Sequence, residues 1–196
     1  MSLLAESLIN QPPGPTGFTL VELLVVLLIG AILLGLGVPA MQSLIASNQL
    51  AAVTDDFASA LNMARSEAGK LGTNVILTAS GTNWGAGWTM TVTTTSATSG
   101  TSTSTTLRTG APVPPAYSLK SSSAFSGGLS FDSTGRLAGG IPDGVFVICQ
   151  GSGPWAGGAA RMISVTGSGR VRIAQNDASG TPIDMTTGSP ITTCTP

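Results

Sequence analysis

The chain has 196 residues, eight Lys and Arg against nine Asp and Glu, no histidine, and only 9% charged side chains. That is room for one domain plus an accessory segment, and its near-neutral charge excludes a general attraction to nucleic acid or anionic lipid. Lack of histidine removes the commonest general base and zinc ligand, and no nucleophile–base pair stands in for it.

Residues 1–17 read as a leader, and Gln11-Pro12-Pro13-Gly14-Pro15 cannot form regular helix there. From Phe18 to Val38 the sequence is apolar, and Glu22 is its one charged residue. At about 1.5 Å per residue this run is about 30 Å long as a helix, the thickness of a bilayer's hydrocarbon core. A carboxylate inside such a helix costs about 2.5–3.5 kcal/mol near the bilayer centre and less near an end, so Glu22 is a candidate functional residue. Pro39, which removes a backbone hydrogen bond, is the expected kink.

Gly17-Phe18-Thr19-Leu20-Val21-Glu22 resembles the processing site of type IV prepilins and of type II secretion pseudopilins. The resemblance implies cleavage after Gly17 by a prepilin peptidase and N-methylation of Phe18. It also implies that Glu22 neutralises the terminal amine of a neighbouring subunit in a filament. Leaders in that family usually carry Lys or Arg; residues 1–16 have neither and include Glu6. Removing Glu6 leaves eight charges of each sign.

Beyond Pro39, residues 39–72 read as an amphipathic helix. Leu50, Val53, Phe57, Leu61, Ala64, Ala68 and Leu71 recur at spacings of three and four, which makes one apolar stripe, and Gly72 ends it. Asp55 and Asp56 point about 100° apart on such a helix and do not form a catalytic pair.

Residues 73–196 switch to a period of two. Strands are expected at 74–78, 87–93, 116–120, 129–131, 145–149, 161–165 and 170–174, with a turn at Asp132-Ser133-Thr134-Gly135 and another at Thr166-Gly167-Ser168-Gly169. Residues 94–106, almost all Ser and Thr, read as a low-complexity loop. Cys149 and Cys194 pair if the domain lies in an oxidising compartment, as a membrane anchor implies; two buried thiols are the alternative. Asp132 and Asp143 sit in glycine-rich turns, but their spacing matches no calcium loop, and no metal site is assigned.

The Ala64-Arg65-Ser66-Glu67-Ala68 helix segment resembles the GspH/FimT branch of the pilin superfamily. So do Trp84-Gly85-Ala86-Gly87-Trp88, Gly135-Arg136-Leu137 and Gly169-Arg170-Val171-Arg172. That branch implies an α+β, pilin-like "lollipop" fold: one long N-terminal helix, half transmembrane and half amphipathic, on a C-terminal antiparallel β domain. It implies a structural subunit that helps initiate or cap a type IV pilus or a type II secretion pseudopilus. Such a subunit starts in the inner membrane with a periplasmic domain and has other pilins as partners, with neither enzymatic activity nor cofactor. The arginines leave two readings open. No acid falls between Asp143 and Asp177, and Arg170 and Arg172, with Arg161 expected across the hairpin, make a small basic cluster. They either contact neighbouring subunits or, as the FimT branch suggests, bind DNA.

Overall fold

The computed structural model describes residues 17–95, 98, 100–151, 159–185, 187–191 and 193–196. The expected leader lies outside them except for Gly17, as do Ser96, Ala97 and Ser99 of the Ser/Thr segment. The chain divides into two units, Met1–Ser43 and Leu44–Pro196.

A single helix, α1, spans Leu20–Leu71, and its assignment continues through Pro39. Its N-terminus is built locally: the Thr19 side-chain oxygen accepts the Glu22 backbone N–H (3.2 Å), and the Thr19 carbonyl accepts that of Leu23 (3.2 Å). A threonine at the N-cap thereby satisfies one of the donors that a helix start leaves open. At the other end Gly72 takes φ 64°, the left-handed residue that commonly closes a helix, and Lys70 bonds Glu67 in the last turn (2.8 Å). In the first unit, Leu20–Val38 has a mean hydropathy of 2.8 and none of it is buried, so it is long and apolar enough to cross a membrane.

Among the described residues of the second unit, eight strands form two antiparallel sheets. They are β1 (Val75–Ala79), β2 (Trp88–Thr95), β3 (Ser102–Gly110), β4 (Tyr117–Ser121), β5 (Leu129–Phe131), β6 (Gly144–Gln150), β7 (Ala160–Val165) and β8 (Val171–Ile173). One sheet has the order β3-β2-β1-β5 and the other β4-β6-β7-β8. The fold is thus α+β, an N-terminal helix with antiparallel sheets, as expected.

The core lies among the helix stripe and one face of each sheet. Phe57, Leu61, Ala64 and Ala68 of α1 cluster with Val75, Leu77, Met90 and Phe131 of the first sheet and with Phe146, Ile148, Ile163 and Val165 of the second. Phe57 meets Phe146 edge-on (4.8 Å between centroids) and Trp84 likewise (5.7 Å), and the Trp84 indole N–H donates to the Phe125 carbonyl (3.1 Å). Burying an aromatic of this kind stabilises by about 1.5–3 kcal/mol, with its polar edge satisfied. Alanines at 60, 64 and 68 are fully buried, so α1 approaches the sheets closely there. Leu71, expected on the stripe, is half exposed because the helix ends at its last turn.

β6 is buried on both faces, which is why Val145–Cys149 reads as an unbroken apolar run rather than an alternating one. Its second face forms a smaller core, in which Val147, Cys149, Ala160 and Met162 pack with Ala174 and Cys194 from the C-terminal segment. Cys149 and Cys194 are disulfide-bonded, with Cα atoms 6.1 Å apart.

The expected Ser/Thr loop over 94–106 needs correcting. β2 runs on to Thr95, and residues 102–110 return along it as β3, pairing Thr93 with Ser104 and Thr94 with Thr103. Threonine is β-branched and suits extended backbone, while the ladder satisfies the amides. Both faces of this outer hairpin carry hydroxyls, so no apolar alternation marked it as a strand. At its base, Arg108 lies over the Trp88 ring (5.6 Å) and bonds Asp56 of α1 (3.1 Å).

Candidate functional site

Two groups of residues could carry function, one in each unit. The first begins at Gly17. Gly17, Phe18 and Thr19 precede the helix in non-helical backbone, and all three are exposed. A Cβ built on Gly17 would meet nothing within 4 Å, so this fold does not require glycine there. Thr19-Leu20-Val21-Glu22 has the spacing of a capping box: Thr19 caps, and Glu22 stands at the third helical position. The box is legible in the sequence as Thr-x-x-Glu, although the apolar run around it draws attention first. Glu22 is exposed in the first turn, where the positive end of the helix dipole favours a carboxylate.

The second group is a junction of three motifs far apart in sequence. In the Asp132 turn, Gly135 N–H donates to the Asp132 carbonyl (2.8 Å), and the Asp132 carboxylate accepts from Thr134 Oγ1 (2.6 Å), Thr134 N–H (2.8 Å) and Arg136 N–H (3.1 Å). These bonds, the Thr134 hydroxyl first, hold Asp132 below its ordinary carboxylate range. In the Thr166 turn, Gly169 N–H donates to Thr166 O (2.7 Å). The two turns lie directly on each other: Leu137 N–H donates to Gly167 O (3.0 Å), and the Gly135 carbonyl occupies the space where a Cβ on Gly169 would be. Arg65 completes the junction from α1 by donating its Nε–H to that same Gly135 carbonyl (2.9 Å). Sequence reading had all three motifs but not their meeting, which only the topology supplies.

Asp143, weighed with Asp132 as a calcium ligand, accepts the Gly167 N–H (2.7 Å), so both acids hold turn backbone. Among the described residues no three or more acids, cysteines or histidines gather as a metal would need.

The basic cluster is rearranged. Arg170 and Arg172 are exposed and two residues apart, with the half-buried Val171 turned to the core between them. Neither has an ion-pair partner among the described residues. Arg161 does not join them. It pairs with Ile148, whose side chain faces the main core, whereas Arg172 pairs with Ser164 on the opposite face of the sheet. Arg161 and Ser164 are three apart on β7, an odd offset that puts them on different faces.

The sequence matches the family described as type II transport protein GspH over residues 53–169, a span that holds Arg65, Gly135 and Gly169 together. The chain belongs to the GspH family. Residues 16–38 also match the prokaryotic N-terminal methylation motif, which covers Gly17, Phe18, Glu22 and the apolar helix. The fold is similar to that in two crystal forms of the type IV minor pilin FimU of Pseudomonas aeruginosa strain PAO1. The P21 form is 24% identical, covers 76% of this chain and 97% of FimU, and has a TM-score of 0.56. The P65 form is also 24% identical, covers 74% and 99%, and has a TM-score of 0.53. No curated protein matches the chain. A GspH-family chain with an N-terminal methylation motif is a pilin-like subunit: the motif implies prepilin peptidase and other pilins as partners, and the apolar helix implies membrane anchoring.

Proposed function

We propose that this chain is a minor pilin or pseudopilin that helps initiate or cap a type IV pilus or a type II secretion pseudopilus. The observation that carries the reading is the N-terminus. A non-helical Gly17–Phe18 junction leads straight into a capped apolar helix of membrane length, with Glu22 its one charge. Peptidase cleavage after Gly17 frees an amine on Phe18, and methylation keeps that amine cationic. The subunit waits in the inner membrane as a single-pass protein with its β unit in the periplasm. It then leaves the bilayer as Glu22 meets the Phe18 amine of a neighbour, because a carboxylate buried among apolar helices needs an opposite charge. Pro39 gives α1 a point of flexure between its anchoring and domain-packed parts. The chain is a substrate of an enzyme and has no reaction of its own. The test is Glu22→Ala in cells: cleavage should proceed as in the wild type, while the subunit should be depleted from sheared filaments and initiation should fall. Filament or secretion levels equal to wild type would remove Glu22 from assembly.

A second reading is favoured by one observation, that Arg170 and Arg172 of the Gly169–Arg172 turn are exposed and have no ion-pair partner among the described residues. Planar guanidinium groups with no internal acid suit phosphate, and the turn then serves as a DNA receptor at a filament tip. Changing Arg170 and Arg172 together to Gln should abolish most DNA binding at low salt; undiminished binding would return both to subunit contacts.

A further inference from the structure

We infer that Arg136, rather than Arg161, is the third cation of the Gly169–Arg172 turn, and that the two stacked Gly-Arg turns form one phosphodiester-binding edge. This rests on the DNA reading above and deepens it.

Each turn places its arginine immediately after the glycine by which the turns touch: Gly135 precedes Arg136, and Gly169 precedes Arg170. A Cβ on Gly169 would come within 3.3 Å of the Arg136 Cα, so the backbones bearing the two arginines are in contact. Both side chains are exposed. Their directions follow from their neighbours: Leu137 is buried and Val171 packs on the core, so Arg136 and Arg170 leave their turns on the solvent side. Arg172 shares the side of Arg170. Arg161 is half-buried on the other face of its sheet.

The junction also fixes where the charges sit. Arg65, Leu137 N–H and the Asp143 carboxylate hold the two turns in one arrangement, so the cationic edge is formed before any ligand arrives. Preorganisation lowers the entropic cost of binding. Asp132 and Asp143 lie at the same turns, so the field of the arginines is modest and sequence-independent phosphate contact is the chemistry it fits.

The count of contacts is measurable. Two phosphate contacts predict a slope of log K against log salt of about −1.8 on duplex DNA, and three predict about −2.7. The experiment titrates the full processed chain in detergent micelles against a short fluorescent duplex of random sequence at several salt concentrations. The wild type should show the steeper slope. Arg136→Gln should flatten it by about 1, Arg136→Lys should restore it, and Arg161→Gln should leave it unchanged. A wild-type slope in Arg136→Gln, with flattening in the Arg170→Gln, Arg172→Gln double variant, would overturn Arg136 and leave the Gly169–Arg172 reading standing. Equal loss in Arg136→Gln and Arg136→Lys would also overturn it, since charge would then not be what matters. No binding by the wild type at low salt would sink the DNA reading itself.

Discussion

Gly169 concentrates the most constraint in one position. Its φ of 76° suits glycine, and a side chain there would strike the Gly135 carbonyl. Gly169→Ala should therefore destabilise the β unit by at least about 2 kcal/mol, read as a lower urea midpoint at unchanged m-value. Arg65→Met keeps much of the side-chain length but removes the donor to the buried Gly135 carbonyl, a loss of about 1–3 kcal/mol on the same measurement. Asp132 gives a pH signature. Its folded carboxyl is held below the ordinary aspartate value of 3.8, so its contribution is present above 3.8 and is lost as pH falls through the folded value. Thr134→Val, which removes the leading hydroxyl bond, should make stability less dependent on pH below 3.8 in acid titrations followed by circular dichroism. These residues also show what a sequence reading can reach. Gly-Arg pairs at 135 and 169 are visible as motifs, but the carbonyl that one glycine receives comes from the other, 34 positions away. No periodicity records such a contact.

Among the elements, α1 was the most legible. Its apolar run, its stripe and its closing Gly72 are local signals, and the structure follows them with only Leu71 released to solvent. β3 was the least legible, because a Ser/Thr tract with hydroxyls on both faces looks like a loop until β2 lies beside it. Arg161 failed for a related reason: its hairpin was foreseen, but the face it takes depends on the register of β6, β7 and β8. The C-terminal segment relies on its disulfide, since the small core it helps cover holds few large side chains. The bridge closes a separation of 45 residues, for which loop-closure entropy gives about 4 kcal/mol. Alkylation of the unreduced protein should label neither Cys149 nor Cys194, and Cys194→Ser should lower the thermal midpoint markedly. Labelling of both thiols in the native state would contradict the bridge.

At the scale of the molecule, one sequence carries two solvents' worth of design. Leu20–Val38 is bare apolar surface that water does not tolerate, and the β unit has its own core, its own disulfide and a balanced surface. On the function proposed above, the chain passes from a bilayer to another apolar partner, and a filament of like helices is such a partner. The GspH-family match and the methylation motif meet in this arrangement: one covers most of the unit that packs, the other the apolar N-terminal end. In that proposal, cleavage at Gly17–Phe18 is the step on which the rest depends. The direct measurement is mass spectrometry of the membrane-extracted protein from cells with an active prepilin peptidase. The account predicts a chain beginning at N-methylated Phe18, and accumulation of the uncut form in Gly17→Val. An unmodified chain that retains residues 1–17 in those cells would contradict it.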